Sequence, residues 1–418
     1  MGAIHVVGAG LAGLAASLHL VDAGRRVVIH ESTPSAGGRC RSYFDKSLGQ
    51  RIDNGNHLLL SGNNAAFAYI NRIGATSSIT GPSHPVFPFI DRANGERWSL
   101  RLSAGRMPWW MLRAGSRVPG TRFGEYLHLL KLRRAGPEST VAETLQGGPL
   151  FRRLIEPLAI ASLNTAPNEG SAVLFAAIIE QTLMRGGRFC IPRFPLEGLS
   201  ESLIDPAIAT LQAKGATFCF SHRISGLRVE EGRISTLLAA DGPVQLGPDD
   251  AVVLAVPGPI AAELLPGLTV PDAFRAIVNV HFRYNADPGP VGFYGVIGGS
   301  AEWVFIKPGI VSITISAADG WVERSAEAIA ETVWPDVVAA LGLGADTTMP
   351  AWRVIKEKRA TFAATPAQER RRPPCHTAFN NLMIAGDWTA TGLPATIEGA
   401  IRSGSSAAAA LLEREHHA

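Results

Sequence analysis

The sequence predicts an α/β fold whose parent domain is assembled from separated stretches and interrupted by an inserted α+β domain. Three stretches carry this expectation: IHVVGAGLAGLAASLHLVDAGRRVVIHES at the N-terminus, a run from PLEGLSESL to AVVLAVP in mid-chain, and LMIAGDWTATGLPATIEGAIRSG near the C-terminus. Each joins a short apolar strand to a helix, the grammar of a parallel sheet with helical crossovers.

In the first stretch, Ile4 to Val7 form a buried strand and Gly8-x-Gly10-x-x-Gly13 the turn. Leu14 to Ala23 read as a small-residue helix closed by Gly24, and Val27 to Ile29 as a second strand ending at Glu31. Gly8 permits the tight turn, Gly10 lets backbone approach a pyrophosphate, and Gly13 allows close helix–strand packing. The helix N-terminus, with Ala12 in its first turn, faces the anion. Glu31, with Ser32 beside it, stands eighteen residues past Gly13, where an acid accepts ribose hydroxyls. A glycine turn used only for packing explains Gly13 but gives Glu31 no task. The expectation is a Rossmann-like dinucleotide site. Downstream, Gly37-Gly38-Arg39 suits backbone approach plus charge pairing with a long pyrophosphate. This run resembles the E-x(n)-G-G-R signature of the flavoprotein superfamily of monoamine oxidases, carotenoid desaturases and Rab GDP-dissociation inhibitors, which implies FAD.

The mid-chain stretch reads as a helix from Ser200 to Lys214, a break at Gly215, strands turning at Glu231-Gly232 and Asp241-Gly242, and a buried strand from Ala251 to Val256. By the resemblance, SHRISGL lies against the adenine near Ile224, whose apolar side chain serves equally as core. In the third stretch a strand, Leu382 to Ala385, ends in Gly386-Asp387, and a helix starts near Pro394 or Ala395. The resemblance implies that Asp387 binds the ribityl chain. It also implies that the helix sets its positive end, around Ala395, Thr396 and Ile397, against the flavin N1/C2=O edge, where reduced flavin carries charge. The FAD-binding domain is thus discontinuous, comprising residues 1–75, 195–265 and 375–418. The substrate domain comprises 76–194, read as largely helical, and 266–374. The latter offers NVHFRYN, FYGVIG and WVFIK as strands and Ser325 to Leu341 as a helix, with ERRRPP (369–374) as a solvated loop.

Three further segments narrow the resemblance: DNGNHLLLSG (53–62), IEPLAIASLNTAPNEGSAVLF (155–175) and ATGLPATIEGAIRSG (390–404). Over essentially the whole chain they are similar to the bacterial squalene-associated FAD-dependent desaturases, the hydroxysqualene dehydroxylase family. Asn56 departs from the glutamine expected before the histidine, keeping the amide but shortening it. The resemblance implies reductive removal of the allylic hydroxyl of hydroxysqualene to give squalene, with Gly38, Arg39, Gly55, Asn56 and His57 at the cofactor. Hydroxide leaves poorly, so the reaction needs an acid. A developing allylic cation needs a dry, apolar and aromatic pocket. Asp53, His57 and Glu156 are the acid candidates. The plain alternatives are that Asp53 caps a turn with Gly55, His57 orients backbone, and Glu156, before Pro157, begins a helix.

Hydrophobic content of 46% and a net charge of +3 describe a globular chain and give no argument for nucleic acid. Cys40, Cys190, Cys219 and Cys375 are far apart, and the eleven histidines form no ligand pair, so no metal site is expected. The cysteines point to a reducing cytosol. The start reads as a strand, not a signal peptide, and no apolar run of about 18 residues suggests a span. Residues 106–134 mix Trp109, Trp110, Met111, Leu112 and Phe123 with Arg106, Arg113, Arg117, Arg122, Lys131, Arg133 and Arg134. That mixture suits peripheral docking on the anionic inner face of a membrane, against the alternative of a packed amphipathic helix. An upstream synthase is an expected partner by pathway logic. The rival readings are a phytoene-type carotenoid desaturase, a flavin amine oxidase and, outside catalysis, a Rab-GDI-like prenyl-lipid-binding module.

Overall fold

The computed structural model describes residues 2–417. Five strands from distant parts of the chain form one parallel sheet in the order Thr217–Cys219, Arg26–His30, Ala3–Val7, Ala251–Leu254 and Leu382–Ile384. The three central and C-terminal strands are almost wholly buried, as expected where helices cover both faces. Helix Leu11–Asp22 and the terminal helix Ile397–His417 pack backbone to backbone: a Cβ on Gly404 would lie 2.0 Å from Ala12 O. Both helices begin beyond the carboxyl ends of their strands, so both N-termini open on one sheet edge, the usual place for a ligand in such sheets.

The predicted helix over Ser200–Lys214 is a wide turn, Ser200–Ile204, continuing as helix Asp205–Ala213. Pro206 lacks the N–H that an uninterrupted ladder needs there. The strand expected to run to Val256 stops at Leu254, and the terminal helix starts at Ile397 instead of Pro394 or Ala395.

A second, seven-stranded sheet has the order Trp352–Phe362, Phe274–Phe282, Ile310–Ile315, Trp303–Lys307, Phe293–Ile297, Val86–Asp91 and Arg97–Arg101. Its last two strands fall within 76–194, a stretch whose other elements are mostly helical: they complete a sheet whose remaining strands lie far downstream, and only that pairing makes them strands. One face, including Val278, Val280, Ile313, Ile315 and Val304, packs against helix Ala326–Leu341 through Ile329, Val333 and Val337. Ser325 caps that helix by accepting the Ala328 N–H at 3.1 Å. The opposite face alternates to Asn279, His281, Ser312, Thr314, Trp303, Phe305 and Phe293, paired rung by rung. No described helix is long and apolar enough to cross a membrane.

Candidate active site

The glycine turn is built as its spacing requires. Gly8 has φ +106° and donates its N–H to His30 O at 2.7 Å. A Cβ on Gly13 would sit 1.9 Å from Gly8 O, so only glycine lets helix and strand meet. Gly10 differs, because its Cβ would enter open space. It begins the helix with no side-chain cap, leaving first-turn N–H groups for an anion. Gly37 N donates to Ala9 O at 2.9 Å, and φ values of +110° and +57° at Gly37 and Gly38 bend the chain so that Arg39 follows beside the first loop.

Glu31 is buried and accepts the N–H groups of Ala9 and Thr33, each at 2.9 Å, with the Ser32 hydroxyl at 3.3 Å. The backbone carbonyls of Glu31 and Thr33 also accept from His222 and Ser221, which draws strand Ile224–Glu230 to this edge. Ile224 itself is core, 6% exposed. An open glycine, uncapped helix donors and an acid at the strand end fit the phosphates and ribose of a dinucleotide.

Arg39 and Asp387, 348 positions apart, close on each other in a two-oxygen pair at 2.7 Å for each contact. Two stretches expected at one cofactor therefore do meet. The turn carrying Gly386 (φ +151°) and Asp387 is clamped by Arg372. The guanidinium of Arg372 donates to Asp387 O at 3.1 Å and Thr391 Oγ1 at 2.8 Å, pairs with Glu369 at 2.6 Å, and lies over the Phe362 ring. Its side chain is 0% exposed, which corrects the reading of 369–374 as a solvated loop. Trp388 is core and donates Nε1–H to Val256 O at 2.9 Å. Ala395 packs against the core, and Thr396 caps the terminal helix by accepting the Gly399 N–H at 3.0 Å.

The segment after strand Gln50–Asp53 lies along the polar and aromatic face of the large sheet. Asp53 is buried, bonded to Lys307 Nζ and Ser42 Oγ at 2.6 Å each and to Leu199 N–H at 2.8 Å. Desolvation raises its pKa, but Lys307 and the hydrogen bonds outweigh it and hold the carboxyl below its usual range. Between these partners the carboxylate is a hydrogen-bond acceptor that ties Lys307, Ser42 and the Leu199 backbone together. Gly55 packs so close that a Cβ would be 3.3 Å from the Asn279 amide. The Asn56 amide donates to Thr314 Oγ1 at 3.1 Å and Ile313 O at 3.4 Å, while its Oδ1 is buried without a partner among the described residues. Thr314 Oγ1 in turn bonds Asn279 Oδ1 at 2.8 Å. Desolvation lowers the His57 imidazole to about 4, with Asp53 opposing, which favours the uncharged ring.

Glu156 opens helix Glu156–Leu163, partly buried, and its side chain makes no hydrogen bond or ion pair among the described residues. The other end of that helix reaches the large sheet. Asn164, left-handed at φ 50°, accepts from Ala317 N–H at 2.6 Å and donates to Thr361 Oγ1 at 2.9 Å. The two ends are about 10 Å apart along the axis. Lys307, Asn279 and Arg372 escaped sequence reasoning. Lys307 ends one strand candidate and Asn279 opens another, and such a polar residue in a buried strand is the one signal available.

Residues 106–134 fold into short turns, Trp109–Leu112, Ala114–Ser116, Phe123–Leu127 and His128–Arg134, not one long helix. Met107, Trp109, Leu112, Leu127 and Leu130 are 49–59% exposed and Phe123 39%. Trp110 and Met111 correct the expectation: both are core, Trp110 set edge-on to Tyr126 with centroids 5.1 Å apart. Beside this surface, Arg106, Arg133, Arg185 and Arg188 line a cavity of about 620 Å³ with one carboxylate, Glu180.

The profile of the flavin containing amine oxidoreductase family matches residues 11–412. A hydroxysqualene dehydroxylase of Rhodopseudomonas palustris is 48% identical over 407 residues, 97% of each chain. That of Sinorhizobium fredii is 46% identical over 406 residues, again 97% of each. The solved cyclohexylamine oxidase of Brevibacterium oxydans superimposes with a TM-score of 0.71 over 99% of both chains at 17% identity, a likeness of fold alone. The chain belongs to the hydroxysqualene dehydroxylase family, within the flavin containing amine oxidoreductases.

Proposed function

We propose that the chain removes the allylic hydroxyl of hydroxysqualene reductively and releases squalene, using FAD held between the glycine turn, Glu31, Arg39 and Asp387. The observation that carries the reaction site is the sheet face on which Asn56, Asn279 and Thr314 form an amide–hydroxyl cluster beside the aromatic rings of Phe87, Phe293, Trp303 and Phe305. When bound, reduced FAD supplies hydride to the substrate carbon. The residues of the chain supply the rest. Aromatic faces stabilise cationic character at the allylic carbons, and the apolar wall excludes water that would capture them. Asp53 anchors Lys307 and the backbone at Leu199, which fixes the segment bearing Asn56 and His57. Neutral His57 orients and does not protonate.

Incubation under reducing conditions with hydroxysqualene, phytoene or a primary amine tests this reading. Squalene formed from the first alone is expected. Desaturated phytoene or an aldehyde from the amine, with hydroxysqualene untouched, would assign a different reaction.

The finer setting of the reaction rests on the surface at 106–134. Exposed Met107, Trp109, Leu112, Leu127 and Leu130, surrounded by arginines and Lys131, match the apolar boundary and anionic headgroups of a bilayer's inner leaflet. Flotation with phosphatidylglycerol-containing vesicles should carry the protein upward, and Trp109→Ser with Leu130→Ser should abolish this. Equal flotation of that double variant would remove the docking face. Supply of substrate by an upstream synthase belongs to the same reading, and absence of any cross-link between the two on vesicles would count against it.

A further inference from the structure

The reaction requires a proton for the departing oxygen, while Asp53 is engaged by Lys307, Ser42 and the Leu199 N–H, and burial favours the neutral form of His57. A carboxyl that no sequence motif marks stands on the same face of the large sheet. Glu302 donates its backbone N–H to Thr314 O at 3.0 Å, although the next residue, Trp303, is already the register partner of Thr314. Two residues therefore oppose one. Such a bulge re-aims a side chain, here toward the face of Thr314 and Ser316.

The contacts agree with that direction. Glu302 Oε2 accepts the Ser316 N–H at 3.0 Å. One two-residue step back along the strand, about 7 Å, Thr314 Oγ1 meets Asn56 and Asn279. One residue forward, the Ala317 N–H is held by Asn164. Glu302 thus lies where the 53–58 segment and the end of helix Glu156–Leu163 both reach the sheet, beside Trp303 of the aromatic wall. It makes no ion pair among the described residues, whereas Asp53 has Lys307. Desolvation pushes the Glu302 carboxyl up to about 7, opposed only by the hydroxyl and N–H of Ser316, and no charged side chain contributes to that shift. Two carboxyls on one face are driven apart by environment, one ionised and one able to hold its proton at neutral pH.

Resting on the dehydroxylase reading above, we propose that Glu302 is the acid that protonates the leaving hydroxyl. The allylic C–O bond breaks with its electron pair remaining on oxygen, the Glu302 proton moves to that oxygen, and water departs. The allylic carbon, left two electrons short, takes the hydride already named, and the carboxylate regains a proton from solvent. Ser316 N–H steadies the anion between turnovers.

The test is Glu302→Gln in the FAD-loaded protein. Glutamine keeps the shape and the bond from Ser316 but has no acidic proton. Unchanged FAD absorbance, thermal midpoint and substrate KM are expected, with kcat reduced roughly 10²- to 10⁴-fold, the range for loss of a general acid. Wild-type single-turnover rates should fall as pH rises through neutrality, and the variant should lose that limb. Independently of turnover, the infrared carbonyl band of a protonated carboxylic acid should titrate near neutrality in the wild type and be missing from the variant. Full activity in Glu302→Gln, or the same band in both proteins, overturns the role of Glu302 while leaving the dehydroxylase reading intact. Failure of the wild type to convert hydroxysqualene, with the band present, instead sinks the functional reading on which this one rests.

Discussion

Lys307 and Asp53 stand 254 positions apart and meet at 2.6 Å with side chains 11% and 5% exposed. Burying two charges is tolerable only because each satisfies the other, and removal of one partner strands the second. Lys307→Met should therefore lower unfolding free energy by about 3–5 kcal/mol, measured by urea denaturation of the apo protein, and adding Asp53→Asn should restore part of that loss. A single variant as stable as wild type would show that the pair contributes little. The position of Asp53 near the cofactor segment is legible in DNGNHLLLSG, but its role is not, since an acid and a structural anion are the same residue until the partner is known. Glu302 is the converse case, a carboxyl in an unremarkable loop whose setting depends on a bulge between two strands.

Among the elements, the glycine turn offers a clean separation between folding and binding. Alanine at Gly13 meets Gly8 O and must disrupt packing, whereas alanine at Gly10 meets nothing, at an ordinary φ of −75°. Gly10→Ala should therefore keep the apo thermal midpoint within about 2 °C of wild type, as expected for a substitution that meets no packing neighbour, yet bind FAD at least tenfold more weakly by fluorescence titration. A wild-type dissociation constant would mean the phosphate does not approach there. This turn was readable because its glycines, helix and acid are local in sequence. Strands Val86–Asp91 and Arg97–Arg101 were not, because their pairing partners lie far downstream. Nor was Arg372, hidden in an arginine run where only packing distinguishes the buried member from its solvated neighbours. Trp109 and Trp110 repeat that lesson: adjacent identical residues in a short turn point opposite ways.

The whole molecule should respond to acid through imidazoles on both sheets and on the segment after Asp53. His30, held between His5 and His222, and His57 and His281 all titrate at about 4, each lowered chiefly by desolvation. In the unfolded chain they take up protons near 6.5. The folded form binds fewer protons between those values, so their contribution is complete above about pH 6.5 and is lost as pH falls toward 4. Within that window each should remove about 1.4 kcal/mol per pH unit, read as a falling thermal midpoint, and His281→Gln should flatten the slope. An unchanged midpoint from neutrality to pH about 4 would contradict these environments.

At this scale, too, the discontinuity of the parallel sheet was legible from three strand–helix runs, since each carries its own apolar pattern. Their convergence gives the central claim, a single flavin site set to reduce an allylic alcohol. The most direct measurement is anaerobic photoreduction of the FAD-loaded protein followed by rapid mixing with hydroxysqualene. Return of oxidised-flavin absorbance with one squalene formed per flavin is the expected result. Flavin that stays reduced beside unconsumed hydroxysqualene would contradict it.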